Sequence, residues 1–123
     1  LGGLGTQTHV AADLKAGELT AALKDLASLG LPIHLSEMDV SLSRAEGLIR
    51  DPAKLAAGQA RTYAEAAEAF STLPARQRFA FTLWGLRDKD SWLKREDARD
   101  TPLLFNDAGD PKRAAAAWAG ALR

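Results

Sequence analysis

Apolar residues along the chain form two kinds of segment, which alternate three times. In each unit a short run of alternating apolar and other residues comes first, and a segment with apolar residues at helical spacing follows. The first kind predicts a strand and the second an amphipathic helix. The predicted strands cover residues 4–10, 33–39 and 78–84. This alternation is typical of a parallel sheet covered by helices.

The predicted helices have recognisable start and stop signals. The first covers about residues 18–29 and ends at Gly30, because Leu31-Pro32 cannot continue it. The second begins at Asp51-Pro52 and the third at Asp110-Pro111, since an aspartate followed by proline is a common helix start. The apolar faces are predicted to consist of Leu19, Leu23, Leu26 and Leu29; of Leu55, Tyr63, Ala66, Ala67 and Phe70; and of Ala114, Ala115, Trp118 and Leu122.

The third strand predicts which face of the sheet meets the helices. Large side chains alternate there with mostly smaller ones, Phe79, Phe81 and Leu83 with Ala80, Thr82 and Trp84. We expect the large residues to face the helices and the other set to face the interior, with Trp84 at the strand's carboxyl end. This division is typical of a parallel sheet that closes on itself as a barrel.

The second predicted strand ends in two acids, Glu37 and Asp39. Because side chains alternate along a strand, these acids should share one face with Ile33 and Leu35. The first strand ends in polar residues as well, Gln7 and His9. The carboxyl ends of parallel strands meet at one end of a sheet, so polar chemistry is predicted to gather there. Two acids by themselves can also cap or solvate a loop, and that interpretation stays open.

The loops that follow the second and third strands are long, at residues 40–50 and 85–110. Ligand sites of parallel barrels are built from such loops. The second loop is rich in charged residues, which is also typical of a solvent-exposed loop without a function. Trp92 within this loop favours a functional role. Indole faces beside acids suit a sugar, whose ring stacks while its hydroxyls bind polar groups. Trp84 and Trp92 could also be ordinary core residues, but tryptophans beside acids suit a carbohydrate better than they suit a core.

Composition narrows the classes of function. The chain has 123 residues, with 16 basic and 16 acidic side chains and no cysteine. Balanced charge and the lack of a long apolar run give no reason to expect nucleic acid or a membrane as a partner, and no export signal is visible. The lack of cysteine excludes disulfides and thiolate catalysis, and the two histidines do not form a metal spacing. No metal and no cofactor are predicted.

The size of the chain points to an incomplete barrel. A closed barrel of eight strand–helix units takes about 250 residues, and three units are present here. Three parallel strands with helices on one face would have two open edges. The predicted fold class is therefore α/β, with residues 1–123 forming the carboxyl-terminal part of a single larger barrel.

Four short motifs occur in a consistent order: Gly5-Thr6-Gln7-Thr8-His9, Leu29-Gly30-Leu31-Pro32-Ile33, Leu35-Ser36-Glu37-Met38-Asp39-Val40, and Trp84-Gly85-Leu86-Arg87-Asp88-Lys89-Asp90-Ser91-Trp92. Together they resemble glycoside hydrolase family 10, whose typical members are endo-1,4-β-xylanases, and the resemblance runs from residue 3 to residue 122. Two departures are modest. Met38 stands in place of the usual leucine, and Lys112-Arg113-Ala114 replaces a more frequent K-P-A-Y.

The resemblance implies strands 6 to 8 of a TIM barrel and a retaining enzyme that hydrolyses internal β-1,4 bonds of xylan or xylo-oligosaccharides. It makes Glu37 the nucleophile, with His9 and Asp39 supporting it. It also assigns three sugar-binding residues, Gln7, Trp84 and Trp92. The acid/base glutamate would lie on strand 4, outside this chain, so the chain is expected to be inactive alone. A secreted or periplasmic location is implied by the family.

Retaining hydrolysis requires two carboxyl groups about 5 to 5.5 Å apart on either side of the scissile bond. Asp39 leaves the same strand as Glu37 on the same side, so we expect it to support Glu37 rather than to face it across the sugar. Two other functions remain open. One is a carbohydrate-binding or scaffold part that pairs with the missing barrel part, another chain or a second copy. The other is a β-glucan-cleaving glycosidase of the same clan.

Overall fold

The computed structural model describes residues 1–45 and 50–123. Its strands, β1 (Leu4–Ala11), β2 (Ile33–Ser41) and β3 (Arg78–Leu83), form a parallel sheet in the order β1-β2-β3. The helices are α1 (Glu18–Ala27), α2 (Pro52–Ser71) and α3 (Arg113–Ala121), and 3-10 helices cover Ala75–Gln77, Asp88–Asp90 and Trp92–Arg95. The predicted alternation of strands and helices is confirmed. Within the predicted loop 40–50, residues 46–49 lie outside the described residues.

One hydrophobic layer lies between the sheet and the helices. The central strand β2 contributes fully buried side chains to it, Ile33, Leu35, Met38 and Val40. Tyr63, in the middle of α2, is fully buried as well, and its hydroxyl donates a hydrogen bond of 2.6 Å to the Pro102 carbonyl. Burying each large apolar side chain contributes about 2 kcal/mol. The layer holds the opposite face of the sheet in place, which is the face that a closed barrel turns inward.

The start of α2 agrees with the sequence pattern, whereas the start of α3 does not. The Asp51 carboxylate accepts a hydrogen bond of 2.9 Å from the Ala53 amide, with proline in the first turn. The prediction that α3 begins at Asp110-Pro111 is wrong, because Asp110 closes a turn with Asn106 instead. The Asp110 amide donates to Asn106 Oδ1, and the Asn106 amide donates to the Asp110 carbonyl, both at 2.9 Å. The helix begins two residues beyond Pro111, at residue 113.

The alternation of β2 is interrupted at Glu37. Pairing with β1 is regular up to Ser36 opposite Gln7 and resumes with Asp39 opposite His9. β2 therefore contains one more residue than β1 in this interval. Glu37 has a φ of 55°, the left-handed conformation that can accommodate a β-bulge.

The bulge corrects one prediction about the faces of β2. Ile33 and Leu35 lie in the buried layer next to the helices, whereas Glu37 is turned toward Gln7 and remains partly exposed. The prediction that Glu37 and Asp39 share a face with Ile33 and Leu35 is wrong, since both acids contact His9 on the opposite face. An extra residue breaks the two-residue period on which that prediction rested.

Irregularities also change the predicted environment of two other apolar residues. The pairing of β2 with β3 shifts around Phe79, which is 71% exposed and meets the His34 ring edge-on at 5.7 Å. Phe79 therefore does not pack against the helices, although Phe81 and Leu83 do pack against the core. Leu29 follows the end of α1 and is 62% exposed, so it does not belong to the buried stripe. In the described part of the chain, no helix has both the length and the apolar character needed to span a membrane.

Candidate active site

A cluster of four side chains, here called the acid cluster, joins β1 and β2 at their carboxyl ends: Gln7, His9, Glu37 and Asp39. His9 Nδ1 lies 3.0 Å from Asp39 Oδ2, and His9 Nε2 lies 3.1 Å from Glu37 Oε2. Gln7 Nε2 donates a longer hydrogen bond of 3.4 Å to Glu37 Oε1. The Glu37 side chain is 24% exposed and the Asp39 side chain 1%. Glu37 can therefore meet a ligand, while Asp39 acts behind the imidazole.

Asp39 is held by two donors on one of its oxygens. The indole Nε1–H of Trp92 donates to Asp39 Oδ2 at 2.9 Å, and His9 contacts the same oxygen. Burial raises the pKa of Asp39, and the hydrogen bonds from Trp92 and His9 oppose that rise. Among the described residues, Asp39 Oδ1 has no hydrogen-bond partner. The carboxylate is thus positioned to orient His9 and Trp92 rather than to reach a ligand.

The two predicted sugar-binding indoles differ in their surroundings. Trp92 meets the His9 ring edge-on, with centroids 5.3 Å apart, and the Arg44 guanidinium carbon lies 5.2 Å from the Trp92 ring centroid. Trp84 directly follows β3, and its amide donates to the Met38 carbonyl at 3.0 Å. The Trp84 side chain is 44% exposed and makes none of the hydrogen bonds that join the acid cluster. Trp84 therefore offers the more open ring surface for stacking.

The loop that carries Trp92 is folded around a buried ion pair, which the sequence pattern did not reveal. Asp88 is buried, accepts a hydrogen bond of 2.8 Å from the Leu103 amide and pairs with Lys112 Nζ at 3.2 Å. Lys112 also donates to the Thr101 and Leu103 carbonyls. Burial raises the pKa of Asp88 and lowers that of Lys112. Charged residues in this loop suggested solvation, because no local pattern distinguishes a buried acid from an exposed one.

A second buried acid ties this loop to the end of β2. Asp100 Oδ2 accepts a hydrogen bond of 2.5 Å from Ser41 Oγ, and Asp100 Oδ1 accepts one of 3.0 Å from the Leu42 amide. Ser41 Oγ in turn accepts from the Arg44 amide at 3.0 Å. The segment that leaves β2 and the loop that follows β3 are therefore joined beside the acid cluster. Within residues 1–45 and 50–123, no group of three or more His, Cys, Asp or Glu side chains is arranged to hold a metal ion.

The fold and the cluster are those of a partial parallel barrel with carboxylates at the carboxyl end of its strands. The chain belongs to glycosyl hydrolase family 10, whose sequence model matches residues 1–121. The resemblance found in the four motifs is thereby confirmed. The chain is 30% identical over 138 residues to the endo-beta-1,4-xylanase Xyn10C of Cellvibrio japonicus, a match that covers 98% of this chain and 22% of that protein.

Solved xylanases have the same arrangement of strands and helices. A thermostable mutant of the xylanase Xyn10A from Cellvibrio japonicus superposes with a TM-score of 0.83 at 29% identity, covering 98% of this chain and 40% of that one. Xylanase 10B from Thermotoga petrophila, solved in complex with xylobiose, gives a TM-score of 0.77 at 27% identity, covering 98% and 36%. The chain thus spans less than half the length of these relatives.

Proposed function

We propose that this chain is the nucleophile-bearing part of a retaining endo-1,4-β-xylanase and supplies strands 6 to 8 of its barrel. The observation that carries the proposal is the partly exposed Glu37 carboxylate, held by His9 and Gln7 at the carboxyl end of the sheet in a family 10 chain. Residues 1–123 would form the carboxyl-terminal part of a single catalytic domain. The relatives' names support xylan as substrate, and we propose that the protein acts outside the cytoplasm.

In the proposed reaction, the Glu37 carboxylate attacks the anomeric carbon of a xylose unit, and the bond from that carbon to the leaving oxygen breaks. A second carboxyl group protonates the leaving oxygen and then removes a proton from the water that releases the sugar from Glu37. Hydrogen bonds from Gln7 and His9 hold Glu37 for this attack. An imidazolium form of His9 would donate to both acids, whereas a neutral form donates to one of them. Asp39 keeps the His9 ring in place.

Asp39 is a poor candidate for that second carboxyl group. It is 1% exposed, and its Oδ2 already binds His9 and Trp92. We therefore propose that the acid/base glutamate comes from another part of the barrel and that this chain alone is inactive. The sugar would be bound by the exposed ring of Trp84, by the Gln7 amide and by the edge of Trp92.

An open groove beside β3 supports the need for a covering partner. The groove, of about 440 Å³, lies between β3 and α3 and has an almost entirely apolar lining that includes Leu83, Leu104, Phe105 and Trp118. Among the described residues, the buried Nε1–H of Trp118 has no acceptor. We propose that the amino-terminal barrel part covers this groove and supplies an acceptor to Trp118. A second copy of the chain is the alternative occupant, favoured by the same exposed apolar surface.

The test uses the completed barrel, meaning this chain together with an amino-terminal part that supplies the other strands. An activated 2-fluoro xylobioside should label Glu37, as read by mass spectrometry of the peptides, and the Glu37→Gln variant should not be labelled. Label on another residue would contradict the assignment. Higher activity on β-glucan than on xylan would favour the other glycosidase of the clan. A stable homodimer of this chain alone, together with no hydrolytic activity when the amino-terminal part is added, would favour the scaffold function.

A further inference from the structure

Arg44 reaches from the segment after β2 to the segment that carries Trp92. Its guanidinium carbon lies 5.2 Å from the Trp92 ring centroid, the geometry of a cation–π contact. Its Nε and Nη2 both donate to Glu96 Oε2, at 3.2 and 2.5 Å. Glu96 immediately follows the 3-10 helix Trp92–Arg95, and its amide donates to the Leu93 carbonyl. Arg44 therefore contacts the same short segment twice, at the indole and at the carboxylate.

The other end of Arg44 is fixed as well. Its amide donates to Ser41 Oγ, and Ser41 Oγ donates to the buried Asp100. The indole under the guanidinium is the one that donates to Asp39 and meets His9. A continuous set of contacts thus runs from Arg44 through Trp92 to the side chains behind Glu37.

We propose that Arg44 is a positioning residue that holds the Trp92 indole on Asp39. With Arg44 removed, the indole would lose the cation on its face, and its hydrogen bond to Asp39 would loosen. The inference rests on the proposed function, because it deepens the account of the same site. Glu96 supports this positioning, because its carboxylate keeps the Arg44 guanidinium over the Trp92 ring.

A different role for an arginine near a sugar site would be to bind an acidic group on the substrate. The Glu96 carboxylate argues against this role, because it already occupies two donors of the guanidinium. The Arg44 and Glu96 side chains are 42% and 50% exposed, so the pair is accessible while its charges are largely matched. The two roles can be separated by comparing activity on neutral and on glucuronate-bearing xylo-oligosaccharides, because a positioning residue affects both and a residue that binds an acidic group affects only the second.

The test compares Arg44→Ala, Arg44→Lys and Glu96→Ala in the completed barrel. Loss of a partly exposed cation–π contact should lower kcat/KM on neutral xylo-oligosaccharides about three- to tenfold, mainly through kcat. Lysine should recover part of the loss, because it keeps a cation without the planar fork. If Glu96 acts through Arg44, the double variant Arg44→Ala/Glu96→Ala should have the same kcat/KM as Arg44→Ala alone. Arg87→Ala is the matched control, since Arg87 is 40% exposed and pairs with Asp90 instead.

A second readout does not depend on turnover. In protein labelled with 5-fluorotryptophan, the ¹⁹F resonance of Trp92, assigned with Trp92→Phe, should shift or broaden in Arg44→Ala and stay unchanged in Arg87→Ala. If that resonance and kcat/KM match the control, the inference is wrong. A loss confined to glucuronate-bearing substrates would also overturn it. An inactive completed barrel with a shifted resonance would contradict the proposed function and leave the positioning role standing.

Discussion

The carboxyl end of the sheet consists of polar and charged side chains, whereas the helix-covered layer of the same sheet consists of buried apolar ones. In the layer, Ile33, Leu35 and Tyr63 are fully buried, and they follow the spacing of a strand or a helix. At the carboxyl end, β2 contains a bulge at Glu37, and the neighbouring Asp39 is a buried acid. The layer gains stability from regular burial, whereas the sheet end keeps features that cost stability.

The difference indicates where this chain tolerates conformational and electrostatic strain. Among the described residues, Glu37 is the only non-glycine residue with a positive φ, and such conformations cost about 1 to 3 kcal/mol. Burial also raises the pKa of Asp39, next to Glu37. Features of this kind persist where they serve a site and the surrounding structure enforces them. Substitutions of Glu37 and the polar side chains that hold it should therefore change activity more than stability, whereas substitutions in the layer, or of the ion pair that holds the loop after β3, should do the reverse.

The largest effect is expected for Glu37→Gln in the completed barrel. An amide cannot act as the nucleophile that we propose Glu37 to be, so turnover of xylo-oligosaccharides should fall about 10⁴-fold or more. The free energy of unfolding, measured in urea, should stay close to that of the unaltered protein, because glutamine has the same shape. Retained turnover, or a large loss of stability, would contradict the proposed division between the two regions.

Asp88→Asn should lower the free energy of unfolding of the completed barrel by about 3 kcal/mol. The substitution leaves Lys112 without its buried counterion. Because the Lys112 side chain is 21% exposed, the loss should lie at the lower end of the range for buried ion pairs. Adding Lys112→Met should recover part of the loss. Asp90→Asn, which affects an exposed pair with Arg87, should produce no measurable change. Equal effects of the two single variants would show that the Asp88 pair is not buried in solution.

Gly58→Ala tests the tight approach of α2 to the segment after β1. A Cβ at Gly58 would lie 2.3 Å from the Ala12 carbonyl oxygen, so the helix must move, at a cost of about 2 kcal/mol. Gly120→Ala in α3 is the control, since a Cβ there meets nothing within 4 Å and should raise stability by about 0.5 to 1 kcal/mol. Thermal melts of both variants give the comparison. Stabilisation by alanine at both positions would mean that α2 is not held against the segment after β1.

The smallest effect concerns the backbone of Glu37. Glu37→Gly should be more stable than Glu37→Ala by about 1 kcal/mol, because both remove the carboxylate and glycine alone adopts a φ of 55° without strain. At Ser36, whose φ is not positive, the order should be reversed. Urea unfolding of the four variants measures both differences. Alanine as the more stable residue at both positions would place Glu37 on a regular strand.

Much of the fold was predictable, because strands and helices leave periods in the sequence. The start of α2 at Asp51 and the positive φ of Gly30 follow from local chemistry alone. The Phe79 environment was not predictable by the same means, since a shift in strand pairing exposes it. The α3 start was also missed, because Asp110 bonds to Asn106 in a turn and the helix begins only at residue 113. The proposed site residues came from motifs, and the contacts of Arg44 and Asp88 had no signal in the sequence.

The sequence by itself determined the order of the elements, the buried face of α2 and membership of the family, because these depend on residue periods and short motifs. Tertiary structure decided the bulge that turns Glu37 toward His9, the cation over Trp92 and the burial of Asp88 and Asp100. These features join residues that lie far apart along the chain. A charge looks the same in the sequence whether it is solvated or enclosed, and only the packed loops set that difference.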